Sequence, residues 1–372
     1  MNARVPAEVF PPGEFLREEL EARNWRQQEL AEILDRPARL VSEIIAGKRA
    51  ITPETAKGLA EAFGTSPDYW MNLESQYQLS KVRSQDNSVA RRAFLYERFP
   101  VREMIRRGWV RASDSIDVLE KQFCEFFCVP SIDIEPDLCH NAKKTNAWDS
   151  ASPLQVAWLF RTKQLASKQI IPVYSKKKLI DSLDKLKSLT LSPEEVRHVP
   201  RILAEAGVHL IIVEPLAGSK IDGACFWIDD KKPVIGMTLR FDRIDNFWFV
   251  LRHEIEHILR EDGKKNNHVI VDSDIGNHED NLPEEEVIAN KAAAEFCVQG
   301  EQLDNFIARV QPYFSEDKVL RFAQRIEVHP GLVVGQLHHR LNRHDFLRKY
   351  LVKVRALILP TADVDGWGMI SE

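Results

Sequence analysis

The sequence predicts a multi-domain protein with an all-α N-terminal domain, a helical middle and an α+β C-terminal domain. Three observations carry this reading. The chain has 372 residues, which at about 100–200 residues per domain leaves room for two or three. Its first eighty residues break into short amphipathic segments punctuated by Pro and Gly, the pattern of small packed helices. Near residue 205 the hydrophobic period turns strand-like, and long helical segments return after 243; strands followed by helices mark an α+β domain. The boundaries drawn on this basis are 10–80, 81–200, 201–345 and a C-terminal tail, 346–372.

Composition narrows the function classes. Apolar residues are 44% and charged residues 29%, the balance of a globular chain. With 18 Phe and 8 Trp, a large core can be buried. A net charge of −5 excludes a uniformly basic nucleic-acid coat. No apolar stretch approaches the ~20 residues of a membrane span, so no membrane partner is expected. The opening MNARVPAEVF has no apolar core of a secretory signal. Five scattered cysteines, Cys124, Cys128, Cys139, Cys225 and Cys297, fit a reducing cytoplasm better than a disulfide framework. The expected location is therefore cytoplasmic.

Taken in order, Pro12-Gly13 opens a first helix with Phe15, Leu16 and Leu20 on one face. Gln27 opens a second, and Asp35-Arg36-Pro37 breaks it. Leu40, Val41, Ile44 and Ile45 mark a third, stopped by Gly47. Thr52-Pro53 and Ser66-Pro67 are N-terminal signals for a fourth and fifth. Residues 81–112 hold 9 Lys/Arg against 3 Asp/Glu and read as a partly helical connection, with Arg91-Arg92 and Arg106-Arg107 on solvated faces. Segments 154–166 and 175–190 are amphipathic, with Trp158 in the core, and Cys124 and Cys128 among phenylalanines read as core thiols. Residues 208–215, 223–229 and 233–239 read as three strands of a mostly antiparallel sheet. Helical stretches follow at 244–260 and 284–298.

The chemistry concentrates at His253-Glu254-Ile255-Glu256-His257. On a helix, His253 and His257 lie one turn apart on one face, so both imidazoles can reach one Zn²⁺ at ~2.0–2.1 Å. Glu254 is aimed beside the metal, where it can take a proton from water. Apolar flanks, Phe247 to Leu251 and Ile258-Leu259, make the dry wall such a site needs. A catalytic zinc takes a third protein ligand. The pattern with a third His beyond a Gly fails, because Arg260 and Gly263 stand at those positions. Candidates are Glu284, Glu285 and Glu286, which open a helix carrying small Ala289 and Ala293; His268 and His278, in a Gly/Asn/Asp-rich loop, are rivals.

Residues 205–300 resemble the ImmA/IrrE-type metallopeptidases, a gluzincin-like group. The likeness rests on GACFWI (223–228), FWFVLRHEIEHIL (247–259) and EEEVIANKAAAEF (284–296). The resemblance implies a zincin-like C-terminal fold and one Zn²⁺ per chain. It implies His253, His257 and Glu286 as ligands, the last because it stands three residues before Ala289-Asn290, with Glu254 as base. Departures are Ala292, where members usually carry Phe, and Gln299, where they often carry Pro. HPGLVVGQLHH (329–339) resembles a closing segment of regulators of this combined type, and His339, with His338, is the candidate oxyanion or substrate donor.

Residues 12–73 fit a helix-turn-helix. Ala31 is small where two helices cross, and Val41 and Ile44 seat the recognition helix. Ala38, Arg39, Ser42 and Glu43 are left for the groove, Gln27 is a further DNA-binding candidate at the start of the second helix, and Lys48, Arg49, Arg36 and Arg39 make a local basic patch. The stretch resembles the XRE type, and more narrowly the HigA antitoxins, through Gly47-Lys48-Arg49-Ala50-Ile51-Thr52-Pro53 and Trp70-Met71-Asn72-Leu73. Members often carry amides where Ala38 and Glu43 stand. Residues 1–80 hold 9 Lys/Arg against 13 Asp/Glu, so phosphate neutralisation rests on the local patch.

The expectation is a DNA-binding regulator with a zinc-dependent endopeptidase domain, in a toxin–antitoxin or prophage control module. The partners expected are an operator in its own promoter, a protein substrate or cognate toxin or antitoxin, and a second copy of the chain, since such proteins read two half-sites. The alternative is a HigA-like repressor whose peptidase-like domain only senses or binds a partner.

Overall fold

The computed structural model describes residues 9–82, 87–136, 138, 151–262, 264, 270–273 (backbone only) and 282–370. The chain forms two compact units, Met1–Ala90 and Arg91–Glu372.

The first unit is all helical: α1 (Pro12–Arg23), α2 (Gln27–Ile33), α3 (Ala38–Ile45), α4 (Pro53–Phe63) and α5 (Pro67–Lys81). Local chemistry explains the ends. Thr52 and Ser66 accept from the backbone N–H of Thr55 and Tyr69 at the starts of α4 and α5, satisfying donors the helix leaves orphaned. The core is Leu16, Leu30, Val41, Ile44, Leu59 and Trp70. Trp70 gives its indole N–H to Thr65 Oγ1 at 2.9 Å. Buried Glu74 accepts the N–H of Ile51 at 3.0 Å, tying the turn before α4 to α5.

The second unit follows with α6 (Ser88–Arg98), within which the division falls, α7 (Val101–Arg106), α8 (Ile116–Phe127), α9 (Pro153–Lys168), α10 (Lys176–Leu189) and α11 (Val199–Glu205). The helical middle is thus present. Strands β1 (His209–Val213), β2 (Ile221–Trp227) and β3 (Pro233–Met237) come next, then α12 (Ile244–Arg260), β4 (Ile270–Ser273) and α13 (Glu284–Cys297). The chain ends with α14 (Gly300–Val310), α15 (Glu316–Arg325), α16 (Pro330–Leu341), α17 (Arg355–Ile358), β5 (Asp363–Gly366) and β6 (Met369–Ile370).

The sheet order is β4-β2-β3-β1-β5-β6. β2 pairs antiparallel with β3 and β4, and β5 with β6. β1, however, is parallel to both its neighbours, β3 and β5. Three of the five pairings are thus antiparallel, as expected of a mostly antiparallel sheet, with β1 the strand that departs from it. β2 and β3 form a hairpin, but residues 214–220 carry the chain from β1 past the place β3 later fills. β1, β2 and β3 are buried along their whole length, which is why they read as continuous apolar runs.

Alternate residues supply two cores. Ile211, Val213, Phe226 and Val234 pack with Trp158 of α9. Leu210, Ile212, Cys225 and Ile235 pack with Phe247, Leu251 and Ile255 of α12. Gly236 leaves the space Trp158 fills, since a Cβ there would meet its ring at 2.7 Å.

Within the segment 346–372, Asp363–Gly366 and Met369–Ile370 join the sheet as β5 and β6. Asp365 of β5 is 2% exposed, accepts the indole N–H of Trp109 at 3.0 Å and pairs with Arg161. Two smaller expectations also change. Arg107 is not a solvated side chain: it pairs with Glu214 at 2.9 Å and donates to the carbonyl of Pro215. Cys128 is exposed at the left-handed C-cap of α8, and Cys124 is half-buried. Cys139 lies outside the described residues. No helix among the described residues is long and apolar enough to cross a membrane.

Candidate metal centre and nucleic-acid interface

α12 is held by its apolar face. Phe247, Trp248, Val250, Leu251, Ile255 and Ile258 are buried. The helix ends at Glu261, a left-handed cap. This burial carries His253, Glu254 and His257 inside with it, each 0% exposed. α13 packs alongside through Ala289 and Ala293, both fully buried, and the missing bulk lets its first turn bring Glu286 over both imidazoles.

His253, His257 and Glu286 present one ligand atom each, all within 4.8 Å of one another. Nε2 of His253 and Nε2 of His257 are 3.0 Å apart. Glu286 Oε2 is 3.3 Å from the first, and Oε1 is 3.4 Å from the second. Donors set ~2.0–2.2 Å from one ion in a tetrahedron lie about 3.3–3.6 Å from each other; the two histidine–glutamate separations fall in that range, and the two imidazoles, at 3.0 Å, stand slightly closer.

The other ring nitrogens test the fit chemically. His253 Nδ1 meets Asn290 Oδ1 at 3.1 Å, and His257 Nδ1 meets Asp262 Oδ2 at 3.1 Å. Both partners are acceptors, which puts the imidazole protons on Nδ1. Two Nε2 lone pairs and a carboxylate then converge, an arrangement a divalent cation relieves. A buried His/His/Glu cluster able to hold a metal ion is thus present.

Glu254, about 100° round the helix from His253, turns its carboxylate toward β2. A Cβ on Gly223 would stand 2.1 Å from its Oε1, so the glycine makes room for the carboxylate. The ladder between β2 and β4 shifts register between Ile221 and Gly223, the kind of irregularity that re-aims groups beside a site. Glu256 is half-buried and pairs with Arg252 at 2.7 Å.

Other sequence candidates fall elsewhere. His268 and His278 lie outside the described residues. His339 is exposed on α16 and lines a cavity with Asn246, which is seven positions before His253. His338 is buried and donates Nε2–H to the carbonyl of Phe346 at 2.7 Å. Sequence reasoning assigned no role to Asn290, Asp262 or Gly223. Asn290 was within reach of it, because it stands one turn after Glu286 on the same helix face.

In the first unit Gln27 is exposed at the start of α2, and Ala38, Arg39 and Ser42 are exposed on α3. Lys48 and Arg49 are exposed just beyond it. Glu43 is only part-exposed and bridges two arginines. Arg39 Nε is 2.6 Å from Oε1, and Arg49 Nη1 is 3.4 Å from Oε2. The hydrogen bond from Arg39 is the main reason the Glu43 carboxyl is held below its usual range. Arg36 pairs with Glu54 at 3.3 Å.

Five short helices with an exposed third helix and a small residue at the α2–α3 crossing define a DNA-binding helix-turn-helix module. Residues 16–70 match the family described as helix-turn-helix, and through this segment the chain belongs to that family. It is 33% identical over 71 residues to an uncharacterised HTH-type transcriptional regulator of Escherichia coli, YddM, covering 19% of this chain and 76% of that protein. It is 39% identical over 80 residues to an uncharacterised HTH-type transcriptional regulator of Haemophilus influenzae, covering 21% and 72%. Among solved structures it is similar to an addiction module antidote protein of the HigA family from Coxiella burnetii, at 40% identity. That match covers 19% of this chain and 79% of that one, with a TM-score of 0.19.

Proposed function

We propose that the chain is a DNA-binding regulator of transcription of the XRE/HigA type whose second unit carries a zincin-like metal site for peptide hydrolysis. The regulator half is supported by the relatives, which are named as transcriptional regulators and match across the helix-turn-helix. α3 is the reading helix, with Ala38, Arg39, Ser42 and Glu43 toward base edges, and Gln27, Lys48 and Arg49 toward the backbone. A homodimer on two half-sites in its own promoter, and a place beside a toxin or prophage gene, complete this reading.

One observation carries the hydrolytic half: His253, His257 and Glu286 converge through atoms 3.0–3.4 Å apart, with Glu254 one residue along the same helix. His253, His257 and Glu286 would hold Zn²⁺, which would supply Lewis acidity toward a carbonyl and lower the pKa of nearby water. Glu254 would accept a proton on a carboxylate oxygen and return it to the departing amine. Asn290 and Asp262 keep the two imidazoles in the tautomer that offers Nε2. The substrate on this reading is a protein partner or repressor.

A second reading keeps the regulator and the metal but assigns the site to sensing or partner binding. It is favoured by the complete burial of His253, Glu254 and His257, with Glu286 alone of the four exposed, at 16% of its side chain. The Glu254→Gln chain separates the two. On the hydrolytic reading it binds zinc as the parent does but no longer cleaves a mixed peptide library, and the in vivo phenotype disappears. A phenotype that survives the substitution sinks hydrolysis and leaves binding. A gel shift on the chain's own promoter at low salt tests the regulator half, and no shift there removes it.

A further inference from the structure

Arg39 and Glu43 stand four residues apart on α3, and local helix energetics do not account for them. Arg39 is the second residue of the helix, where the dipole disfavours a cation, and Glu43 lies in the last turn, where it disfavours an anion. Their order is also the weaker one, since a one-turn ion pair gains more with the acid N-terminal to the base. Yet the two are in contact: Arg39 Nε–H donates to Glu43 Oε1 at 2.6 Å. Glu43 Oε2 accepts from Arg49 Nη1 at 3.4 Å, and the Glu43 carbonyl accepts the backbone N–H groups of Lys48 and Arg49 at 2.9 and 3.2 Å. Glu43 is thus tied by side chain and backbone to the turn that follows α3. Its side chain is 24% exposed, whereas that of Arg39 is 85% exposed.

A guanidinium carries its N–H donors in a rigid planar fork. Holding Nε fixes the plane of that fork and leaves the Nη protons of Arg39, which have no hydrogen-bond partner among the described residues. The other exposed positions of α3 offer no such group. Ala38 has no side-chain donor, and the Ser42 hydroxyl is already given to the carbonyl of Arg39 at 3.0 Å. In the major groove guanine alone presents two adjacent acceptors, O6 and N7, and these match a two-pronged donor; cytosine N4 and adenine N6 are themselves donors. The N-terminal residues of a recognition helix are the ones that reach base edges, and Arg39 is among them.

We propose that Arg39 reads a guanine in each half-site through its two Nη groups, and that Glu43 is a positioning residue that holds the fork in its reading plane. This deepens the regulator reading above and rests on it.

The test is selection by the full-length chain from duplex DNA with a randomised stretch of about 20 bp, room for two half-sites one helical turn apart. The parent is expected to select one G·C pair in each half-site by about 5- to 150-fold over the other pairs, the discrimination of a single bidentate contact. Arg39→Lys keeps the charge and loses the fork, so the preference at that pair is expected to fall below about threefold, with the other selected positions intact. Glu43→Ala removes the brace and leaves a better helix former; it is expected to lose the preference at the same pair and at no other. Retention of the preference by either variant overturns the proposal. So does a loss spread evenly over all positions, the mark of a phosphate contact. Duplex binding by the parent without a guanine preference overturns it and leaves the regulator reading standing, whereas no binding to any duplex at low salt removes that reading as well.

Discussion

Glu254 and Gly223 are mutually dependent: the carboxylate of the first occupies the space where a side chain on the second would begin, 2.1 Å from Oε1. A methyl group there would also stand 2.9 Å from Val250 Cγ1, so α12 cannot simply slide away. Gly223→Ala is therefore expected to displace Glu254 while leaving His253, His257 and Glu286 in place. Metal content measured by mass spectrometry should match the parent and, on the hydrolytic reading, peptide hydrolysis should fall about a hundredfold, the scale of a 1 Å misplacement. Unchanged hydrolysis would remove Glu254 as the proton carrier.

The proposed metal site should weaken in two grades. Glu286→Ala, with the loss of a donor, is expected to abolish stoichiometric zinc. Asn290→Ala and Asp262→Ala keep the donors but free the imidazoles to turn, and each should cost about 10–100-fold in affinity. Competition against a chromophoric chelator reads both grades. His268→Ala and His278→Ala should match the parent.

Glu43 restrains two arginines of the proposed reading surface, because Arg39 and Arg49 both pair with it. Glu43→Gln should raise affinity for random duplex and steepen its dependence on log salt by about 1 for each phosphate newly engaged. Fluorescence anisotropy between about 50 and 200 mM salt measures the slope. An unaltered slope would mean that neither arginine touches phosphate.

Stability of the second unit should fall as pH drops below about 6.5. Burial lowers the pKa of His209, His329 and His338 in the folded protein. The unfolded chain therefore binds protons that the native state refuses, and each pH step downward favours unfolding until the lowered native values are passed. Urea midpoints in EDTA at pH 7.5 and 5.5 test this. His209→Gln should flatten the difference, and a midpoint that rises on acidification would contradict it.

β5 should prove essential to the second unit. Asp365→Ala removes the partner of Arg161 and the acceptor of the Trp109 indole. Breaking a buried pair from one side costs about 3–5 kcal/mol, readable as a lowered unfolding midpoint. A loss within the ±0.5 kcal/mol of ordinary surface changes would mean that the second unit does not depend on β5.

Much of the fold was legible because its signals are local. Thr52 and Ser66 cap the helices expected of them, and α12 spans the expected residues 244–260. The parallel pairing of β1 was not legible, since hydrophobic runs carry no strand direction and the partners of β1 come later in the chain. The cysteines of α8 were misplaced for a related reason: Cys128 stands amid phenylalanines in sequence, yet the left-handed cap turns it out to solvent.

The sequence by itself determined that His253 and His257 share a helix face with Glu254 beside them, because a 3.6-residue period acts within a single element. It also determined the helix-turn-helix, whose breaks and caps lie within a few residues of what they stop. Only the tertiary structure decided that Asn290, 37 positions away, meets His253, that Gly223 accommodates Glu254, and that Asp365 closes on Arg161 across 204 positions. Those relationships depend on how helices and strands stack, and no local propensity specifies such stacking.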